Sequence, residues 1–89
     1  MKELSQSTRF VKDVRRMQKR GKDISKLEQI VRQLAQGQAL APKHRDHPLG
    51  GNWDGARDCH IEPDWVLIYT IRPKSLRLER TGTHSDLFE

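Results

Sequence analysis

Apolar residues follow a helical period over the first 35 positions and a strand period over the last 30 or so. Phe10, Val11, Val14 and Met17 fall at i, i+1, i+4 and i+7, which makes one stripe of a helix beginning near Ser7. Gly21 ends that helix. Ile24, Leu27, Ile30, Val31, Leu34 and Ala35 form the stripe of a second helix, closed by Gly37 and Pro42. Ser25-Lys26-Leu27-Glu28 matches a capping box at its start, with Asp23 as a competing cap. The two stripes predict an antiparallel helical pair, and residues 2–4 leave room for a short edge strand ahead of it.

After Pro42 the pattern changes to turns and strands. Pro48-Leu49-Gly50-Gly51-Asn52 reads as a turn cluster. From Gly55 onward Ala56, Asp58 and His60 share one face of a strand, and Arg57, Cys59 and Ile61 share the other. Pro63-Asp64 interrupts it, Trp65 to Ile71 is dense in β-branched and aromatic residues, and Arg72-Pro73-Lys74-Ser75 reads as a hairpin turn. Leu76 to Arg80 alternates as a half-buried strand, Gly82 ends it, and Ser85 to Glu89 holds at most one helical turn. The predicted class is α+β: two N-terminal helices packed on one face of a small antiparallel meander sheet, residues 1–89 forming one domain. The other face of the sheet is left open for a site.

At 89 residues and 10.4 kDa the chain supports one modest core. Mean hydropathy is −0.87, yet the regular apolar spacing argues for a folded domain. The single cysteine, Cys59, excludes an internal disulfide and fits a reducing cytoplasm. The longest strongly apolar run, Trp65 to Tyr69, is far below the ~18–20 residues that cross a bilayer, so no membrane partner is expected, and the N-terminus has no signal-peptide pattern. The net charge of +5 conceals an asymmetry: residues 1–45 carry 12 Lys/Arg against 4 Asp/Glu, and residues 46–89 carry 5 against 8. The basic half, and in it Lys12, Arg15, Arg16, Lys19 and Arg20, suits a phosphate-bearing partner; a merely solvated helix face is the plain alternative.

Three histidines, His47, His60 and His84, then draw the eye, each with a carboxylate close by in sequence. Histidine both gives and takes protons near neutral pH. Asp58 and His60 leave the same strand face, while Asp64 and His84 follow the breaks at Pro63 and Gly82, where strand ends place functional groups. If the flanking strands keep meander register, His60 and His84 come within one active-site width. Cleaving RNA without a metal needs a base for the 2′-hydroxyl proton, a cation for the phosphorane charge and an acid for the leaving 5′-oxygen. Histidine and aspartate supply the proton steps, each worth roughly 10²–10⁴-fold, and Trp65 or Phe88 offers a base-stacking surface worth roughly 1–3 kcal/mol. Each has a plain counter-reading. Trp65 opens an apolar strand and suits core packing equally well; Arg80 continues the Leu76/Leu78 parity and needs a partner if buried; Cys59 reads as core. His47, His60, Asp64 and His84 are acceptable zinc ligands, but no tight ligand pair anchors a metal site.

Asp46-His47-Pro48-Leu49, Trp53, Gly55, Arg57-Asp58, His60, Glu62-Pro63-Asp64-Trp65, Leu67-Ile68-Tyr69 and Glu79 to Phe88 closely resemble the YafQ branch of the RelE/ParE toxin superfamily. The likeness extends weakly through both helices, including Lys19-Arg20 and Lys22-Asp23. It implies a compact RelE-like toxin that cuts mRNA in the ribosomal A site and uses no cofactor. It also implies a cognate antitoxin encoded beside it, small, acidic, DNA-binding and RelB/DinJ-like. Carried over position by position, it points to His47, His60, Asp64 and His84 as the acid–base set, Asp58 assisting, Trp65 and Phe88 shaping or stacking, and the basic helix residues on ribosomal RNA; Arg80 is a further candidate for binding substrate. A non-enzymatic gyrase-binding toxin of the ParE kind and a simple RNA-binding module remain as alternatives. Departures at Gly50, Asp54 and Ala56 bear on codon preference.

Overall fold

A computed structural model describes residues 1–88. The chain runs β1 (Glu3–Gln6), α1 (Thr8–Lys19), α2 (Ile24–Ala35), β2 (His47–Pro48), β3 (Arg57–Glu62), β4 (Trp65–Ile71), β5 (Ser75–Gly82) and α3 (His84–Phe88), with short 3-10 turns at Pro42–His44 and Gly51–Trp53. Ser7 caps α1 by accepting from the Phe10 amide at 3.0 Å. At α2 the competition between caps is decided for Asp23, whose carboxylate accepts from both the amide and the hydroxyl of Ser25. A carboxylate one residue before the helix also complements its dipole, which a Ser cap does not.

The expected α+β layering is present, with a sheet larger and less uniform than a three-stranded meander. Its order is β1-β5-β4-β3-β2. β3, β4 and β5 form the antiparallel meander, but β1 pairs in parallel with β5 along Glu3–Gln6 and Ser75–Leu78. The helical pair is a crossover that carries the chain from one parallel strand toward the rest of the sheet. On the far edge His47-Pro48, inside the segment read as loop and turn, pairs with Arg57 and Asp58 as β2. A proline is admissible there because an edge strand has a side with no ladder bond to donate.

β4 is central and buried on both faces, which is why it reads as a continuous apolar run. Trp65, Leu67 and Tyr69 pack with Phe10 and Met17 of α1 and with Leu27, Ile30 and Leu34 of α2 in the main core. Val66 and Ile68 face the other way into a smaller cluster with Ala56, Leu49, Trp53 and Leu87. Cys59 belongs to the main core, and burial pushes its thiol up to about 12, so it is inert as a nucleophile at neutral pH.

A bulge resets β5 near its end. Leu78 pairs with Tyr69 and Arg80 with Ile68, leaving Glu79 as the extra residue. Arg80 therefore shares the face of Ile68 and not that of Leu76 and Leu78, contrary to simple alternation. Its partner is Asp13 of α1, buried at 3% exposure, which accepts from Arg80 Nε at 2.6 Å and Nη2 at 3.1 Å, from the Thr81 amide at 3.2 Å and from Arg16 Nη2 at 2.9 Å. This carboxylate fastens α1 to the stretch of β5 that β1 does not cover. Removing one partner of a buried pair strands the other. Asp13→Ala is expected to destabilise the fold by about 3–5 kcal/mol, measured as a lowered urea midpoint at unchanged slope; a loss under about 1 kcal/mol would be the value of a surface pair and would contradict the clamp.

Candidate active site

The open end of the sheet gathers side chains from four places in the chain. β4 holds them in register: Val66 lies opposite His60 on β3 and opposite Gly82 on β5, and Ile68 lies opposite Asp58 and Arg80. His60 thus projects beside the point where β5 ends and α3 begins with His84. The two imidazoles stand edge-on, centroids 5.2 Å apart at 66°. Asp64, in the β3–β4 turn, accepts from His84 twice through one oxygen, at 2.6 Å from Nδ1 and 3.0 Å from the backbone amide. With Nδ1 committed as donor, Nε2 of His84 is the atom turned to chemistry. Phe88, one turn along α3, lies 6.1 Å from the His84 ring and is 44% exposed.

His47 reaches the same region on a loop tied to the sheet at three points. His44 Nδ1 donates to the His60 carbonyl at 2.7 Å, the Tyr69 hydroxyl donates to Asp46, and Arg57 Nε donates to Asp46 at 3.2 Å. Arg45 adopts φ +48, a left-handed conformation unusual for a residue with a side chain, and its carbonyl is thereby set 2.6 Å from His47 Nδ1. That nitrogen also lies 3.1 Å from Asp58 Oδ1. Its hydrogen bond goes to the carbonyl, and the buried Oδ1 of Asp58 has no hydrogen-bond partner. Beside His60 the loop and the β3–β4 turn enclose a cleft of about 380 Å³ bordered by Lys43, His44, Arg45 and Pro63.

Proton affinities diverge across this cluster. Burial pushes the Asp58 carboxyl upward, against the pull of His47, His60 and His84. Burial lowers His60, with Asp58 opposing and His84, Arg45 and His47 assisting. Asp64 is held below the usual carboxylate range by its bonds from the backbone and ring of His84. The arrangement pairs a histidine kept neutral with another leaning on an ionised carboxylate, which suits concerted proton transfer.

Of the residues expected from sequence, the structure brings His47, Asp58, His60, Asp64, His84 and Phe88 together. Trp65 has no exposed surface, donates from Nε1 to Thr81 Oγ1 at 2.9 Å and packs under the helices, so of the readings left open by the sequence it takes core packing and not base stacking. Arg80, read from sequence as needing a partner if buried, has one: its Nε and Nη2 are bonded to Asp13. The basic set of α1 also divides. Arg16 is paired with Asp13 and Arg20 with Asp86, leaving Lys12, Arg15 and Lys19 of that set exposed and outside any ion pair among the described residues. His44 and Arg45 were not foreseen; the cationic run Lys43-His44-Arg45 just before Asp46-His47 was the available signal. Among the described residues no group of three or more His, Cys, Asp or Glu converges as a metal-ligand set.

Residues 2–89 match the family described as the bacterial toxin of type II toxin–antitoxin system, YafQ. The chain belongs to the YafQ toxin family. The mRNA interferase toxin YafQ of Escherichia coli strain K12 is 47% identical over 88 residues, covering 98% of this chain and 96% of that protein. The crystal structure of YafQ from E. coli strain BL21(DE3) aligns over 100% of both chains with a TM-score of 0.95 at 44% identity. YafQ in the E. coli DinJ–YafQ complex aligns over 100% of both chains with a TM-score of 0.93 at 46% identity. Within this YafQ fold the His60 environment makes a direct test. Its ring signals in an NMR titration are expected to have a midpoint below the ordinary histidine value of about 6.5. Asp58→Asn should move that midpoint further down, because the carboxylate's charge no longer favours the imidazolium; an upward move would contradict that influence.

Proposed function

We propose that this chain is a ribosome-dependent mRNA endoribonuclease, a toxin that cleaves translated messages in the A site by acid–base chemistry and is neutralised by a cognate antitoxin. The observation that carries the reading is the 5.2 Å approach of His60 to a His84 already bonded to Asp64. Support comes from the relative named an mRNA interferase and from the relative solved with DinJ.

In the reaction His60, kept neutral by burial, takes the proton from the 2′-hydroxyl. The 2′-oxygen then bonds to phosphorus and the bond from phosphorus to the 5′-oxygen breaks. His84, oriented by its Nδ1 bond to Asp64, gives a proton from Nε2 to the leaving 5′-oxygen. The products are a 2′,3′-cyclic phosphate and a 5′-hydroxyl. His47, held by Arg45 and faced by Asp58, steadies the phosphorane charge, and Phe88 stacks on a base unpaired from its neighbours. Lys12, Arg15 and Lys19 contact ribosomal RNA. The antitoxin is an acidic chain, partly disordered when free, that matches the basic half.

Translation of a reporter message with the purified protein tests this directly. His60→Ala and His84→Ala are each expected to lower the single-turnover cleavage rate by roughly 10²–10⁴-fold; an undiminished rate in either removes that residue from the mechanism. Neutralising Lys12, Arg15 and Lys19 together should weaken ribosome binding and flatten its dependence on salt by roughly 0.7–0.9 logarithmic units per lost phosphate contact. A salt dependence identical to the parent's would assign these cations to solvation alone.

A further inference from the structure

Two segments from opposite ends of the chain meet at one ion pair. Arg20, the residue capping the C-terminus of α1, places Nη1 2.6 Å and Nη2 3.2 Å from the two carboxylate oxygens of Asp86 in α3. Asp86 is also half of a reciprocal cap. Its Oδ2 accepts from the Thr83 amide at 2.9 Å, and its own amide donates to Thr83 Oγ1 at 3.2 Å. The carboxylate can take this position because residue 82 has no side chain. A Cβ on Gly82 would stand 2.9 Å from Asp86 Oδ2 and 3.0 Å from Asp86 Cβ, closer than such atoms approach.

α3 has particular need of an external hold. Five residues close barely one helical turn, and helices that short do not persist in water unaided. The bond from Asp64 to His84 involves side chains 68% and 48% exposed, an arrangement that contributes little order by itself. Asp86 is the better-sheltered anchor, its side chain 14% exposed, and Arg20 meets it with both arms of its fork. Arg20 also lies 3.7 Å from Met17 Sδ, which sits in the main core, so the anchor is continuous with the packed helices. The Asp86 carboxyl is held far below the usual carboxylate range, chiefly by Arg20, so the pair is ionised throughout the neutral range.

We propose that Arg20 is a positioning residue: through Asp86 it holds the first turn of α3, and with it His84 and Phe88, in the orientation that cleavage requires, and it is not a ribosomal RNA contact. The inference rests on the nuclease reading above. Gly82 and Thr83 are parts of the same device, one by leaving room and one by closing the cap. A displacement of about 1 Å in a reacting group can cost on the order of 10²-fold in rate, so a clamp outside the site can act on the chemical step.

The test uses full-length toxin on programmed ribosomes, measuring single-turnover cleavage against toxin concentration, together with amide hydrogen exchange at Thr83 and His84. Arg20→Ala and Asp86→Asn are each expected to lower the saturating rate about tenfold. The half-saturating concentration should stay within about twofold. Thr83 exchange should quicken in both, the double variant should lose no more than the worse single one, and Arg20→Lys, which keeps the charge without the fork, should recover only part of the rate. A raised half-saturating concentration with an unchanged saturating rate would make Arg20 an RNA contact and overturn the proposal. So would additive losses in the double variant. Should the parent protein cut no message, the nuclease reading falls by itself. Thr83 exchange in Arg20→Ala then decides the clamp: quickened exchange upholds it and unchanged exchange rejects it.

Discussion

The position of Val66 is the constraint on which the site depends. Paired with His60 on one side and Gly82 on the other, it makes the two neighbouring strands end level with each other, so that His84, two residues past Gly82, comes to lie against His60. A one-residue slip on either side would turn His60 toward the helices or carry His84 out of reach. What prevents slippage is the two-faced burial of β4, with Trp65 and Leu67 fixed under the helices and Val66 and Ile68 fixed against Ala56 and Leu87. The hydrophobic effect thereby sets the spacing of groups that are themselves polar.

The basic half of the chain is less free than its charge suggests. Asp13 takes Arg16 as well as Arg80, Asp86 takes Arg20, and Glu62 takes both Lys22 and Lys26. Each of these carboxylates joins elements distant in sequence, so the pairs serve assembly of the fold more than reach toward a partner. The exposed cations of α1 outside these pairs, Arg9, Lys12, Arg15 and Lys19, form a narrower electrostatic surface. The same economy governs the loop before β2, where His44, Arg45 and Asp46 each spend a polar group on holding His47 in place.

Where alternation was locally obeyed, reading it was reliable. Both helices lie where their apolar stripes fall, and β3 and β4 follow the parity of Asp58 with His60 and of Trp65 with Leu67. It misled at β5, because the bulge at Glu79 moves Arg80 to the opposite face, and a bulge depends on what the partner strand presents. β2 was missed because two residues carry no period, and the parallel pairing of β1 because it joins positions some seventy residues apart. Trp65 was open between core and substrate, and only its depth under α1 and α2 decides the matter.

The sequence by itself determined the two long helices, the three meander strands, the buried cysteine and the candidate histidines and aspartates, because periodicity, punctuation and side-chain chemistry are local properties. Tertiary structure alone decided which of those residues meet. That His84 leans on Asp64, that His47 faces Asp58, and that Arg20 and Arg80 are held by carboxylates far along the chain all follow from strand register and helix docking. Those depend on packing between segments whose sequences carry no record of each other's position.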